Sequence, residues 1–259
     1  MPAVAAGHGA IHYSDFSSQA QGAGRWPPLL LVHGAGGSRL DWPAALRRLP
    51  GARVLTLDLP GHGRSTGPGR ATVAGYAQDV RLFLDRLGLE RAILVGHSMG
   101  GAIAQQVALS DPGRIAGLVL IATGSKLPID PALPQRILAE PDTTLDWIIT
   151  HAWGHPLTDG LRAQAHERMA QTPPAVLRGD YLACQSFDAR DRLHQIAAPT
   201  LIIGAADDRM VPLSFSETLA ERIPRATLVV IGGAGHMVPL ERAAEVARAI
   251  TRWLEAEQW

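Results

Sequence analysis

The sequence predicts an α/β fold, with a doubly wound, mostly parallel sheet covered by helices on both faces. Two observations lead to this prediction. Short apolar runs of strand length alternate along the chain with longer segments whose apolar residues recur at helical spacing. In addition, residue types that carry chemistry come directly after several of the apolar runs. In a parallel sheet, the carboxyl ends of the strands form one edge, where such residues can meet.

The composition excludes several classes of protein. The chain has 259 residues, and its 24 basic and 24 acidic side chains give a formal net charge of zero, which does not favour nucleic acid as a partner. The single cysteine, Cys184, excludes an internal disulfide and leaves no cysteine cluster for a zinc site. No segment has the apolar length of a membrane span, and the first residues lack a signal-peptide pattern. The sequence therefore predicts a cytoplasmic protein without a membrane span.

The first half of the chain alternates predicted strands with predicted helices. Helix 72–87 carries apolar residues at helical spacing with charged residues between them, which indicates one buried face. The other predictions here are strands at 9–13, 28–32, 53–57 and 92–96, a helix-like stretch at 40–49, and a turn rich in glycine, serine and glutamine at 17–25.

The second half interrupts this alternation. After a strand at 115–121, residues 124–195 show no strand pattern and contain several prolines, which predicts an inserted helical cap. The predicted core is therefore 1–123 together with 196–259. Helix-like stretches in the cap lie at 133–139, 143–153, 159–171 and 175–186. The core resumes with strands at 199–203 and 226–231 and helices at 214–222 and 240–254.

The segment Gly96-His97-Ser98-Met99-Gly100 joins a predicted strand to a predicted helix. A Gly-x-Ser-x-Gly pattern in that context holds a serine on a strained turn with its hydroxyl exposed above the sheet. The same pattern occurs around Ser65, at 63–67, but prolines and glycines on both sides predict a loop there. Ser98 is therefore the predicted nucleophile and Ser65 is not.

Two backbone amides are candidates for stabilising an oxyanion. The N–H of Met99, at the start of the helix, is one of them. The other comes from the glycine-rich segment 33–37, which directly follows a predicted strand and whose glycines permit close approach to a ligand. Ala35 is the first choice in that segment, and Gly36 is the second.

A carboxylate and an imidazole follow two later strands. Asp207 and Asp208 come after the strand at 199–203, and His236 comes after the strand at 226–231. A serine hydroxyl needs an imidazole to take its proton, and the imidazole needs a carboxylate to fix its tautomer. The chain order Ser, Asp, His therefore predicts a catalytic triad of Ser98, His236 and one of the two aspartates.

These motifs resemble the α/β-hydrolase family over essentially the whole chain, in its serine esterase- and lipase-like branch with a helical cap. In relatives the acid sits four residues before the proline of the turn that ends here at Pro212, so the resemblance selects Asp208, with Asp207 as the runner-up. The matching segments are Ser98 with its flanking glycines, His33-Gly34, 58–65, 208–212 and Gly235-His236.

The predicted function is that of a serine hydrolase, cleaving small to medium hydrophobic carboxylic esters through an acyl-enzyme on Ser98. Asp208 and His236 complete the triad, Ala35 and Met99 form the oxyanion hole, and no cofactor or metal is needed. Alternatives that use the same triad are a lactone or carbon–carbon bond hydrolase, a perhydrolase and a lyase. A ligand receptor with little turnover is a further alternative from a different class.

Overall fold

The computed structural model describes residues 2–6, 9–17 and 24–259. Within this part, eight strands form one sheet in the order β1-β2-β4-β3-β5-β6-β7-β8. The pairs β1–β2 and β2–β4 are antiparallel, and all the other neighbouring pairs are parallel. The predicted mostly parallel sheet is confirmed. The strands are β1 (Ala3–Ala6), β2 (Gly9–Asp15), β3 (Leu29–Val32), β4 (Val54–Leu57), β5 (Ala92–His97), β6 (Ile115–Ile121), β7 (Thr200–Ala205) and β8 (Ala226–Ile231).

The helices follow the predicted positions with two differences. The stretch 40–49 forms only a short 3-10 turn and then one helical turn, because Pro43 lies between the two parts and has no N–H for a continuous ladder. The closing helix is interrupted at Arg242. The helices are α1 (Ala44–Arg47), α2 (Val73–Arg86), α3 (Met99–Ser110), α4 (Leu133–Ala139), α5 (Pro141–Ala152), α6 (Asp159–Ala170), α7 (Pro174–Ser186), α8 (Leu213–Arg222), α9 (Val238–Glu241) and α10 (Ala243–Ala256).

Most of the turn predicted at 17–25 lies outside the described residues. β1 was not predicted, and it extends the sheet at its antiparallel edge. Among the described residues, no helix combines the length and the apolar character that a membrane crossing requires.

The central strands are buried on both faces. Along β3, Leu30 packs into the apolar cluster that contains Tyr76 of α2 and Ile103 of α3, whereas Leu29 and Leu31 pack into the opposite cluster. This alternation follows from the two-residue period of a strand. A sheet covered on both sides in this way is the doubly wound arrangement that the sequence predicts.

We call residues 122–199, between β6 and β7, the β6–β7 segment. It contains α4, α5, α6 and α7, and a third apolar cluster that includes Leu133, Ile148 and Tyr181 packs these helices together. An isolated β-bridge pairs Lys126 with Asp188, which brings the two ends of the segment side by side. That residues 124–195 form a cap stays a prediction.

Candidate active site

Ser98 occupies a sharp turn between β5 and α3. Its backbone dihedrals are φ 53° and ψ −119°, a conformation that L-residues rarely adopt. The flanking glycines are required by crowding, because a Cβ on Gly96 would lie 2.2 Å from the Gly100 carbonyl oxygen and one on Gly100 would lie 2.1 Å from the Val32 carbonyl oxygen. The strand–turn–helix context predicted for this motif is therefore present.

The Ser98 hydroxyl is hydrogen bonded to His236, which is bonded in turn to Asp208. The distance from Ser98 Oγ to His236 Nε2 is 2.9 Å, and that from His236 Nδ1 to Asp208 Oδ2 is 2.8 Å. The other carboxylate oxygen, Asp208 Oδ1, accepts the N–H groups of Met210 and Val211, each at 2.8 Å. Two backbone donors thus fix the orientation of the carboxylate that orients the imidazole.

The two rival residues lie elsewhere. The side chain of Asp207 is exposed, and its backbone N–H donates to the Ala234 carbonyl. Ser65 is buried: its Oγ donates to the Asp58 carbonyl at 2.6 Å and accepts the N–H of His12 at 2.8 Å. Neither residue belongs to the Ser98–His236–Asp208 chain of hydrogen bonds.

The loop 33–37 lies against the serine, since a Cβ on Gly34 would be 3.2 Å from the Ser98 Cβ. The Gly34 carbonyl accepts His33 Nδ1 at 2.8 Å and the N–H of Gly37 at 3.1 Å. In a planar trans peptide the next N–H points the opposite way, so these two bonds fix the direction of the Ala35 N–H.

The structure also distinguishes the amide of Ala35 from that of Gly36, the first and second choice in this loop. The N–H of Gly36 donates to a carboxylate, Asp180 Oδ2, at 2.8 Å. Among the described residues the N–H of Ala35 has no such partner, and neither has that of Met99, the first residue of α3. Of the three amides that the sequence offered, that of Gly36 is thus occupied, whereas no described residue accepts the N–H of Ala35 or of Met99.

Two buried histidines support the loops of the site. His33 Nε2 accepts the N–H of Leu59 at 3.0 Å, so the proton is on the Nδ1 that faces Gly34. Burial, together with the neighbouring His62, lowers the pKa of His33 to about 3. His97 lies beside His236, with ring centroids 5.0 Å apart, and its Nε2–H donates to the His236 carbonyl at 2.8 Å.

Burial and the proximity of His236 lower the pKa of His97 to about 3 as well. Both rings are therefore neutral at pH 7, and each has one N–H that donates to the backbone of an active-site loop.

Sequence reasoning missed two residues that connect the end of α5 to the loops that carry Asp208 and His236. Arg209 Nη2 donates to the carbonyls of Thr150 and Trp153, at 2.7 and 2.9 Å, and therefore covers the C-terminal end of α5. The Glu241 carboxylate accepts the N–H of Gly154 at 3.0 Å and that of Gly235 at 2.9 Å. Arg209 directly follows Asp208, but no local pattern marks Glu241, because its partner Gly154 is 87 residues away in the chain.

Ser98 and His236 form part of the wall of a cavity of about 460 Å³. The helices α4 to α7 provide much of the remaining wall, and their side chains there are largely apolar. Those on the described helices include Leu133, Trp147, Ile148, Leu161, Met169 and Tyr181. In the part of the chain that the structure describes, no group of three His, Cys, Asp or Glu side chains is placed to hold a metal ion.

The family model for the α/β hydrolase fold matches residues 27–243 of the chain. The chain belongs to the α/β hydrolase fold family. Both the sheet and the position of the Ser98 turn agree with this assignment, and the resemblance inferred from the motifs is confirmed.

Related proteins of this family carry out different hydrolytic reactions. RutD of Caulobacter sp. strain K31, which has the provisional name carbamate hydrolase, is 33% identical over 250 residues, covering 88% of this chain and 91% of RutD. The 2-hydroxymuconate semialdehyde hydrolase of Pseudomonas putida is 32% identical over 247 residues, covering 88% and 86%. A solved thermophilic esterase from Thermogutta terrifontis has a TM-score of 0.85 at 28% identity, covering 98% of both chains. The chain is therefore a hydrolase, and its relatives differ in the bond that they cleave.

Proposed function

We propose that this α/β hydrolase cleaves small to medium, uncharged carboxylic esters through an acyl-enzyme on Ser98. The observation that carries the proposal is the hydrogen-bonded chain Ser98–His236–Asp208 in the wall of a largely apolar cavity. This arrangement activates a hydroxyl that is otherwise a weak nucleophile.

In the proposed reaction, Ser98 Oγ attacks the ester carbonyl while His236 Nε2 takes the hydroxyl proton. The carbonyl π electrons move to the oxygen, and the N–H groups of Ala35 and Met99 stabilise the oxyanion. When the intermediate collapses, His236 donates the proton to the leaving alcohol, and the acyl group stays on Ser98. A water molecule activated by His236 then repeats the attack, which releases the acid and restores the hydroxyl.

The charges around the cavity support an uncharged substrate. Among the described residues in its wall, the two arginines already have acceptors. Arg168 bonds the Leu40 carbonyl at 2.9 Å and lies 3.2 Å from the Asp41 carboxylate, and Arg209 covers the end of α5. Both positive charges are therefore partly compensated by protein oxygens, which weakens their attraction for an anionic substrate group.

We further propose that residues 124–195 act as a cap over this site. Support comes from the cavity wall, to which α4, α5, α6 and α7 all contribute side chains. Since β3, β5, β7 and β8 lead to the loops with the reacting groups, the sheet would supply the chemistry and the cap most of the contacts to the substrate.

A carbon–carbon bond hydrolase is the second candidate. The relative named 2-hydroxymuconate semialdehyde hydrolase, at 32% identity, favours it. The same triad serves both reactions, and the bound substrate decides between them. A muconate semialdehyde carries a carboxylate, so for this candidate Arg168 or Arg209 would have to share its charge between the substrate and its present acceptors.

The test is a series of p-nitrophenyl esters of increasing acyl length, given to the wild type and to Ser98→Ala. A lactone, a carbamate and a dienoate with a cleavable carbon–carbon bond are assayed beside them. We expect turnover of esters with a preferred acyl length, and none by Ser98→Ala. A kcat/KM for the dienoate, lactone or carbamate well above that for every ester would contradict ester specificity. Stoichiometric binding without turnover would instead indicate a receptor.

A further inference from the structure

Asp180 of α7 places a fully buried carboxylate between the β6–β7 segment and the loop 33–37. The residue has no exposed surface. Its Oδ2 accepts the N–H of Gly36 and His62 Nε2, both at 2.8 Å, and its Oδ1 accepts the Tyr76 hydroxyl at 2.5 Å. A buried charge is costly unless it is paired and hydrogen bonded, and every one of these contacts contributes to that compensation.

The partner His62 carries the compensating positive charge. Its Nδ1 faces the Pro60 carbonyl at 3.0 Å and its Nε2 faces Asp180, so both ring nitrogens donate to acceptors. Burial acts to lower the pKa of His62, but the attraction and hydrogen bond of Asp180 outweigh it and raise the pKa above its usual value. Asp180 and His62 thus form a buried ion pair beside the loop.

A second contact from the same segment reaches the other side of Gly36. Thr172 is buried, and its Oγ1 donates to the Gly36 carbonyl at 3.2 Å. The φ of Gly36 is +64°, and a Cβ there would lie 2.7 Å from Leu177 Cδ1 of α7. Both backbone polar groups of Gly36 are therefore bonded to the β6–β7 segment, and Leu177 leaves no room for a side chain.

We propose that Asp180 and Thr172 are positioning residues that hold the loop 33–37 in the conformation in which the Ala35 N–H can bind an oxyanion. The inference rests on the proposed serine-hydrolase function. Donors stabilise a transition state best when their orientation is fixed before the reaction, and small displacements of such groups reduce rates strongly. His33 fixes the peptide before Ala35, whereas Asp180 and Thr172 fix the peptides that follow it.

The variants Asp180→Ala and Thr172→Val remove one contact each. We expect kcat to fall about 10- to 100-fold for Asp180→Ala and several-fold for Thr172→Val, with KM changed less than about threefold. Asp180→Asn keeps an acceptor for the Gly36 N–H and should recover part of the loss. Thr172→Val nearly conserves side-chain volume, so it provides a folded variant even where Asp180→Ala does not fold.

Two matched controls separate positioning from stability. Asp79 is also a buried carboxylate, bound to Arg70, and Thr144 is a buried threonine whose hydroxyl donates to the Arg136 carbonyl. Asp79→Ala and Thr144→Val remove comparable bonds elsewhere in the fold. We expect them to lower the melting temperature but to leave kcat within about twofold of the wild type.

Two probes report on the oxyanion site directly. A boronic acid forms a tetrahedral adduct on the serine, and its Ki should rise by the same factor by which kcat falls. A fluorophosphonate labels an activated serine, and its labelling rate should fall in parallel without any ester substrate. Unchanged kcat, Ki and labelling rate in Asp180→Asn and Thr172→Val would overturn the inference. A wild type that neither turns over esters nor reacts with the fluorophosphonate would instead refute the proposed function, and the inference with it.

Discussion

The chain carries the pattern Gly-x-Ser-x-Gly twice, at 63–67 and at 96–100. Ser98 follows a buried strand, has a φ of 53° and is bonded through Oγ to His236. Ser65 lies in a loop, and its Oγ is taken up by the backbone of Asp58 and His12. The same residue pattern thus lies beside His236 in one segment, and in the other it bonds a loop to β2 and to the residue that follows β4. What distinguishes them is the strand and helix on either side.

The two motifs also differ in the charge of a buried histidine, which is His97 within 96–100 and His62 directly before 63–67. His97 has one ring nitrogen bonded to a carbonyl and is neutral, with a pKa lowered to about 3 by burial and by His236. His62 has acceptors on both nitrogens and a raised pKa. The two buried imidazoles therefore differ in charge, because His62 is hydrogen bonded to a carboxylate and His97 to a backbone carbonyl.

The largest contrast is expected between Ser98→Ala and Ser65→Ala. Loss of the nucleophile should reduce kcat on the order of 10⁴- to 10⁶-fold with little change in stability. Ser65→Ala should leave kcat within about twofold and lower the free energy of unfolding by about 1–2 kcal/mol, because the buried N–H of His12 loses its acceptor. Steady-state kinetics and urea denaturation measure the two effects. Equal losses of activity would refute the assignment of the nucleophile.

The next contrast concerns the two adjacent aspartates. In Asp208→Asn the new side chain could still accept the Met210 and Val211 amides, but its NH₂ group would face His236 Nδ1 and favour the wrong tautomer. This substitution should therefore lower kcat about 10³- to 10⁴-fold without unfolding the protein. Asp207→Asn, at an exposed side chain, should stay within about twofold. Steady-state kinetics compares the two variants, and a greater loss of kcat in Asp207→Asn would assign the carboxylate of the triad to Asp207 instead of Asp208.

The smallest contrast is in the pH dependence of stability. Because the folded-state pKa of His97 lies below its usual value of 6.5, the unfolded chain binds the proton more readily. The contribution of His97 is complete above pH 6.5 and is lost as the pH falls, by about 1.4 kcal/mol per pH unit. His97→Gln should make the decline in the free energy of unfolding between pH 7 and pH 5 shallower. The contribution of His62, whose pKa is raised, is complete below pH 6.5 and is lost as the pH rises through the folded-state value.

Urea denaturation at several pH values tests this prediction. His33 also has a lowered pKa, but it is present in the wild type and in His97→Gln. The difference between their slopes of unfolding free energy against pH therefore reports on His97. His62→Gln is the matched variant, and it should instead make the decline in the free energy of unfolding shallower as the pH rises above 6.5. Identical slopes in the wild type and His97→Gln would contradict the neutral state of His97.

Local patterns predicted most of the strands and helices in their observed order. The helix predicted at 133–139 has those bounds in the structure, and that at 175–186 differs by one residue. The prediction failed at 40–49, where helical spacing overlooked the break at Pro43, and at β1, whose four residues are held by pairing with β2 and by packing against the core. The missing N–H of a proline and the contacts of an edge strand are both features that apolar periodicity does not detect.

The sequence by itself determined the α/β fold, the turn at Ser98 and the order Ser, Asp, His, because strand period, glycine spacing and chain order are local properties. Only the tertiary structure decided that the N–H of Gly36 is occupied by Asp180, that both ring nitrogens of His62 face acceptors, and that Asp180 lies beside the loop 33–37. Asp180 is 144 residues from Gly36 in the chain. Hydrogen bonds across such separations depend on how the β6–β7 segment packs on the sheet, and no local sequence pattern specifies them.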